Sequence, residues 1–229
     1  MTHVAVVLAG CGYLDGTEIR EAVFTLLALD EADATVQCFA PDTEQMHVVD
    51  HVRGEPVDGE TRNVLFESAR IARGDVRPLT EFSAADFDAL VFPGGFGGAK
   101  NLSDFALKGT QATVREDVRA AVDAMQAMQK PIGFICITPA SVGATLLGSK
   151  GPRLAVGAAD DPAAGAVDAL GATHVACPVA EAVVDEAHRV VSTPAYMDGA
   201  ARPKDVYAGI RALVHEVLAM ARTLPAPTS

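Results

Sequence analysis

Short apolar runs recur along the chain, and each is followed by glycine, proline or polar residues. Runs of this kind, without alternation of polar and apolar positions, are typical of strands buried on both faces of a sheet. Four of them predict the central strands of one sheet, at residues 3–9, 34–40, 88–92 and 132–135. Weaker runs predict short strands at residues 46–50, 154–157, 183–184 and 190–191 and around residue 175.

Apolar residues at helical spacing separate these runs. After the first strand, Thr17 is placed to cap a helix whose apolar stripe consists of Ile19, Ala22, Val23, Leu26 and Leu27. The same spacing predicts helices at residues 61–73, 113–129, 163–170 and 206–221. Strands that alternate with helices predict an α/β fold with a mostly parallel sheet and right-handed crossovers.

Length and charge narrow the class of protein. A chain of 229 residues that is 49% hydrophobic predicts one globular domain, at residues 1–222, followed by a frayed tail at 223–229. The net charge is −12 and no basic run exists, which argues against nucleic-acid partners and anionic membrane surfaces. No apolar run approaches the roughly 20 residues that span a bilayer. Because the first residues lead directly into a strand, we expect no signal peptide.

The cysteines are few and widely spaced. Cys11, Cys38, Cys136 and Cys177 form no CxxC pair, so the sequence predicts neither a disulfide framework nor a zinc site. A reducing cytoplasm fits this pattern best. We expect no metal and no cofactor.

Residues 131–143 hold the strongest candidate for chemistry. An apolar strand leads into Cys136, and Thr138 and Pro139 then suit the start of a helix. A cysteine on such a strand-to-helix turn has the geometry of a nucleophile elbow, and the nearby helix terminus favours thiolate over thiol. The alternative is an ordinary buried cysteine that packs as a small hydrophobe.

Four segments that carry polar or glycine-rich residues follow predicted strands: 10–18, 93–101, 136–139 and 193–196. In a parallel sheet the carboxyl ends of the strands meet at one edge, where ligands bind. The glycine-rich segment 93–101 lacks the spacing of a phosphate-binding loop, so we expect it to supply a backbone N–H to an oxyanion hole. This convergence favours the nucleophile interpretation of Cys136.

Several motifs resemble a known family. The sequence Pro93-Gly94-Gly95, the segment 133–139 and a glutamate after the first strand resemble the ThiJ/PfpI superfamily of class I glutamine amidotransferase-like proteins. Segments 8–12, 60–65, 93–102 and 193–197 resemble more closely its ElbB branch, known as enhancing-lycopene-biosynthesis or isoprenoid-biosynthesis glyoxalase proteins.

The resemblance implies a flavodoxin-like three-layer sandwich and a homodimer. It implies that Cys136 is the reactive thiol and that Glu18 is a protonated carboxyl group in contact with its sulfur. The alternative for Glu18 is an acid of the first helical turn, stabilised by the helix dipole. The N–H groups of Gly95 and Ile137 would form the oxyanion hole.

Further residues are candidates for binding the substrate: Phe96, Lys100, Asn101 and Pro194. Lys100 and Asn101 have an equally good alternative as caps of the next helix. The chain departs from its relatives where Ile137 replaces the histidine of protease-like members, and no triad histidine can be named. A general base would be Glu18, a distant histidine or water.

Together with these features, the resemblance implies a cysteine nucleophile that acts weakly on small 2-oxoaldehydes such as glyoxal or methylglyoxal. The partner would be a small carbonyl compound, with a link to isoprenoid biosynthesis that rests on the family alone. The alternative is a redox- or stress-responsive thiol protein without turnover, because an accessible low-pKa thiol oxidises selectively.

Overall fold

A computed structural model gives the structure of this chain, and it describes residues 1–223. A seven-stranded sheet has the order β10-β11-β7-β6-β1-β2-β5, and two two-stranded pairs, β3-β4 and β8-β9, lie outside it. The strands are β1 His3–Val7, β2 Thr35–Ala40, β3 Val49–Asp50, β4 Glu55–Pro56, β5 Val76–Pro78, β6 Ala89–Phe92, β7 Ile132–Ile135, β8 Arg153–Leu154, β9 Thr173–His174, β10 Val183–Asp185 and β11 Val190–Thr193.

Helices connect the strands and cover the sheet. They are α1 Ile19–Glu31, α2 Val64–Ile71, α3 Gly97–Lys100, α4 Phe105–Lys108, α5 Glu116–Ala127, α6 Thr145–Leu147, α7 Pro162–Ala169 and α8 Pro203–Arg222. All neighbouring strands of the large sheet are parallel except β10 and β11, which form an antiparallel hairpin. The α/β class with a mostly parallel, three-layer flavodoxin-like architecture is therefore confirmed.

Each face of the sheet has its own apolar core, because the strands are buried on both sides. On one face, β1 and β6 contribute Val4, Val6 and Val91, which pack against α1, α2 and α8. On the other face, Phe92 of β6 and Phe134 of β7 stack with ring centroids 5.4 Å apart and pack against α5 and α7. This arrangement explains why β6 and β7 are apolar at every position.

The predicted central strands are confirmed to within two residues at either end. The hairpin at residues 183–191 is also confirmed. The strand expected at residues 154–157 is shorter and shifted, since β8 covers Arg153–Leu154 only, and the residue paired with Leu154 is His174. Valine at 175 lies just outside β9.

Helix α1 buries a different face from the one predicted. Its buried residues are Glu21, Ala22, Thr25, Ala28 and Leu29. Three residues of the predicted stripe, Ile19, Val23 and Leu27, are instead 43–46% exposed. The helix packs against α8 as well as the sheet, and the small residues Ala22, Thr25 and Ala28 allow this close approach.

No helix within residues 1–223 is both long enough and apolar enough to cross a membrane. The boundary of a single domain at residue 222 stays a prediction. The tail predicted at 223–229 lies outside the described residues except for Thr223, which follows α8.

Candidate active site

Cys136 lies on a sharp turn between β7 and the π-helical segment Pro139–Ala144. Its φ angle is +63°, in the left-handed region that non-glycine residues rarely adopt. The Cys136 N–H donates a 2.9 Å hydrogen bond to the carbonyl of Thr193, which ties the turn to the end of β11. Backbone strain held by surrounding structure is a common feature of functional sites. The side chain is only 8% exposed.

The hydroxyl of Thr138 closes this turn. Its oxygen accepts a 2.9 Å hydrogen bond from the N–H of Ile135 and lies 2.8 Å and 3.1 Å from the carbonyl oxygens of Ile135 and Phe92. The sequence predicted that Thr138 caps the following helix, but its side chain makes no cap hydrogen bond. The residue instead fixes the elbow between β6 and β7.

The carboxyl group that contacts Cys136 belongs to Glu21, on the buried face of α1. Its Oε2 accepts a 2.9 Å hydrogen bond from the N–H of Gly94, and its Oε1 accepts one of 3.1 Å from the N–H of Tyr196. Its side chain also hydrogen-bonds the sulfur of Cys136. This single fully buried side chain therefore joins the segments that follow β6, β7 and β11.

Glu18, for which the sequence predicted this contact, is the N-cap of α1. Its Oε2 accepts a 2.6 Å hydrogen bond from the N–H of Glu21, so the carboxyl group turns toward the first turn of the helix. The predicted contact with Glu18 is therefore wrong: the contact is made by Glu21, about one helical turn further along the chain. The resemblance had placed the contact on the first glutamate after β1, but that residue is the N-cap of α1, and the helix buries Glu21 instead.

The pKa values of the pair follow from burial. Desolvation, with the nearby Glu18 charge, raises the pKa of the Glu21 carboxyl to about 8, against the opposing effect of its two backbone N–H donors. At neutral pH Glu21 is therefore protonated. Both of its oxygens already accept from backbone N–H groups, so its proton is available for the Cys136 sulfur.

The pKa of the Cys136 thiol is also shifted by its surroundings. Desolvation and the Glu21 carboxyl raise the pKa of Cys136 well above that of a free thiol, while hydrogen bonds from the N–H groups of Gly95 and Ile137 lower it. The expectation of a thiolate favoured by the helix terminus was wrong in direction, since desolvation outweighs the backbone donors. The repulsion between a Cys136 thiolate and the Glu21 carboxylate disappears when Glu21 is protonated.

Two glycines make the close approach possible. A Cβ atom on Gly94 would overlap the Cβ of Cys136 and the Oε2 of Glu21. Gly95 has a φ of +95°, and a Cβ there would overlap the backbone of Glu18. The glycine-rich loop thus serves close packing around the thiol, and its Gly95 N–H reaches the sulfur as one of the two predicted donors.

Three of the predicted binding residues use their polar groups within the protein. Asn101 donates to the carbonyls of Ala9 and Asp15 at 2.9 Å and 2.8 Å and accepts from the N–H of Met46 at 3.0 Å. Lys100 Nζ donates to the carbonyl of Leu14 at 2.7 Å, 5.4 Å from the ring centroid of Phe96. The N–H of Phe96 donates to the carbonyl of Tyr13 at 2.8 Å. These contacts match a structural role; substrate binding by these residues stays a prediction.

Pro194 directly follows β11 and lines a cavity of about 610 Å³ together with Gly157, Cys177 and Met197. Its binding role stays a prediction.

Cys11 lies apart from this arrangement, half-buried among the charges of Glu67, Arg70, Asp15 and Arg62. All four cysteines are free thiols. No histidine is among the groups that the structure places on the Cys136 sulfur within residues 1–223. In the same residues, no three histidine, cysteine, aspartate or glutamate side chains are grouped to hold a metal ion.

An elbow cysteine, a buried carboxyl group and a flavodoxin-like sheet together define a class I glutamine amidotransferase-like protein. Comparison with known proteins agrees, although no family model matches the chain. The chain is 47% identical over 224 residues to the human protein named glutamine amidotransferase-like class 1 domain-containing protein 3, mitochondrial; the match covers 94% of this chain and 82% of that protein. It is 46% identical to the rat ES1 protein homolog, mitochondrial, with 94% and 83% covered.

A solved structure from Ehrlichia chaffeensis, described as an isoprenoid biosynthesis protein with amidotransferase-like domain, is 40% identical with a TM-score of 0.88, covering 96% of this chain and 99% of that one. The DJ-1 superfamily protein Atu0886 from Agrobacterium tumefaciens is 18% identical with a TM-score of 0.55, covering 99% of this chain and 93% of that one, and shows the fold alone. The chain belongs to the ThiJ/PfpI, class I glutamine amidotransferase-like family, in the branch that includes ES1.

Replacing Asn101 with alanine should destabilise the protein by about 3 kcal/mol, because it leaves one buried N–H and two buried carbonyls without their partner. Denaturant unfolding measures this. Asn63→Ala is the matched control: it removes a more exposed helix cap, worth about 1 kcal/mol. Equal losses in the two variants would contradict the role assigned to Asn101.

Glu21 should make stability depend on pH. Its folded-state pKa of about 8 exceeds the ordinary 4.5, so its contribution to stability is fully present below pH 4.5 and is lost as pH rises through 8. Relative to Glu21→Gln, the wild type should lose several kcal/mol of unfolding free energy across this window. Glu186→Gln, at an exposed position, should show no such difference. A difference for Glu21→Gln that does not change with pH would contradict the buried, protonated carboxyl.

Proposed function

We propose that the chain uses Cys136 as a nucleophile toward small 2-oxoaldehydes such as glyoxal and methylglyoxal, without a bound cofactor. The observation that carries the proposal is the pairing of the Cys136 sulfur with the buried Glu21 carboxyl, opposite the N–H groups of Gly95 and Ile137. A nucleophile, an acid and two oriented backbone donors thus meet at one point. Packing alone does not require a buried, protonatable carboxyl beside a cysteine.

The reaction follows from these groups. The thiolate form of Cys136 adds to the aldehyde carbon, and the oxygen takes the proton of Glu21, which gives a hemithioacetal and an ionised Glu21. The hydrogen on that carbon then moves to the adjacent carbonyl carbon by way of an enediol, which leaves a thioester. Water hydrolyses the thioester to a 2-hydroxy acid and the free thiol. Overall, the oxoaldehyde and water give the 2-hydroxy acid, so no external oxidant or reductant is needed.

Each group has a definite task in this scheme. Glu21 gives its proton to the oxygen and, once ionised, is the base beside the carbon that loses hydrogen; it takes the role that the sequence assigned to Glu18. The N–H groups of Gly95 and Ile137 stabilise charge on sulfur before attack and on the substrate oxygen afterwards. Because burial raises the pKa of Cys136, little thiolate exists at neutral pH, and we expect slow turnover.

A link to isoprenoid biosynthesis is part of the proposal and is supported by the description of the Ehrlichia chaffeensis protein. The cytoplasmic location and the homodimer stay predictions. The human and rat relatives carry the word mitochondrial in their names.

Loss of methylglyoxal or glyoxal, followed by formation of the 2-hydroxy acid, tests the proposal. Cys136→Ser should reduce the rate to that of buffer. Glu21→Gln should lower it by about 100-fold, the range expected for losing a general acid–base group. Cys11→Ser, which removes a thiol outside the elbow, should leave the rate unchanged. A rate that survives Cys136→Ser would refute the proposal.

The redox alternative is less well supported, because peroxide oxidises thiolate and burial keeps Cys136 protonated. We therefore expect limited peroxide at neutral pH to oxidise Cys136 no faster than the more exposed Cys11. Peptide mass spectrometry of all four cysteines measures the order. Preferential oxidation of Cys136 would favour the redox function instead.

A further inference from the structure

Arg20, which directly precedes Glu21 in α1, stands out because it is exposed yet held in place. Its Nη1 donates a 3.2 Å hydrogen bond to the hydroxyl of Tyr196, and its guanidinium carbon lies 5.6 Å from the centroid of the same ring. Exposed arginines on a helix are normally mobile, and fixing one costs side-chain entropy. A guanidinium held by both a hydrogen bond and a cation–π contact is preorganised.

The two residues of this pair are directly connected to the reactive group. Arg20 precedes Glu21 in α1, and the backbone N–H of Tyr196 donates to the Glu21 carboxyl that contacts the Cys136 sulfur. The Tyr196 side chain also packs against the apolar cluster that contains Cys136 and Ala195. The guanidinium is therefore linked to the Cys136–Glu21 pair through Tyr196, whose ring it contacts and whose N–H binds Glu21.

Arg20 has unused binding capacity. A guanidinium carries five N–H donors, and the hydroxyl of Tyr196 takes one of them. Within residues 1–223, Arg20 takes part in none of the salt bridges shorter than 4 Å. Glu18 is its nearest opposing charge, and it acts from a distance while its carboxyl group caps α1. The remaining donors suit a planar anion, for which guanidinium is the best-matched side chain.

From this geometry we infer that Arg20, positioned by Tyr196, binds the carboxylate of the substrate, so that the preferred carbonyl compounds are small oxo acids in place of neutral dialdehydes. The inference rests on the proposed function, since it names the substrate class of the same thiol. A carboxylate one or two carbons from the carbonyl would pair with the guanidinium while the carbonyl carbon faces Cys136. Because the whole protein carries a net charge of −12, a local cation is needed to draw an anion to the site.

The test compares two alkylating reagents of similar size and different charge. Iodoacetate carries a carboxylate and iodoacetamide does not, and both react with the same thiolate of Cys136. The ratio of their rates therefore cancels any change in thiol ionisation. Peptide mass spectrometry gives the ratio at Cys136 and, as an internal reference, at Cys11.

Arg20→Gln should lower the iodoacetate-to-iodoacetamide ratio at Cys136 about threefold, as expected for losing one partly screened charge. The iodoacetamide rate should stay nearly constant. Arg20→Lys should keep most of the ratio, and Tyr196→Phe should lower it in part because the guanidinium loses its anchor. Glu18→Gln should raise the ratio, since it removes the opposing charge. Arg211→Gln, an exposed arginine on α8, is the matched control and should change nothing.

The outcomes separate the inference from the proposed function. An unchanged ratio in Arg20→Gln, with Cys136 still reactive, overturns the inference and leaves the nucleophile standing. If neither reagent labels Cys136 in the folded protein, the proposed function fails. Binding of oxamate, an unreactive carboxylate, to Cys136→Ser by NMR titration then decides the inference alone. Saturable binding that Arg20→Gln abolishes supports it, and equal binding in both overturns it.

Discussion

The buried carboxyl group of Glu21 is the interaction on which the site depends. It accepts hydrogen bonds from the N–H groups of Gly94 and Tyr196 and also hydrogen-bonds the Cys136 sulfur. One side chain from α1 therefore holds together the segments that follow three strands. An ionised carboxylate in this position would be costly because water cannot reach it. Protonation removes that cost, and it also provides the proton that the sulfur or a substrate oxygen can use. Protonation of Glu21 therefore affects both the stability of the fold and the proposed chemistry.

The elbow and the glycine-rich loop are consequences of the same constraint. Cys136 reaches the carboxyl group only because its backbone adopts a left-handed φ and because Gly94 has no side chain between them. Thr138 holds the strained turn through three contacts with β6 and β7. The geometry that strains the backbone also buries the thiol, and burial raises its pKa. This site is thus built for an oriented, protonated pair more than for a freely ionised thiolate.

Much of the surrounding polarity belongs to the fold. Asn101 and Lys100 tie the loop after β1 to the loop after β6, and their donors are directed at backbone carbonyls. Arg20 differs, because its guanidinium is held by Tyr196 while its other donors bind no acceptor within residues 1–223. The contrast shows that whether a cation can bind substrate depends on how many of its donors are already bound by the protein.

The sequence alone determined the sheet, the elbow and the family. The strands Ala89–Phe92 and Ile132–Ile135 have no polar position, as is typical of strands buried on both faces, and Cys136 follows the second of them directly. Only the tertiary structure decided which glutamate meets the sulfur. The rotation of α1 depends on how its small residues pack against α8, and a stripe of apolar residues in the sequence does not record that contact. The direction of the thiol pKa was likewise decided by burial, a property of the folded chain that local sequence cannot express.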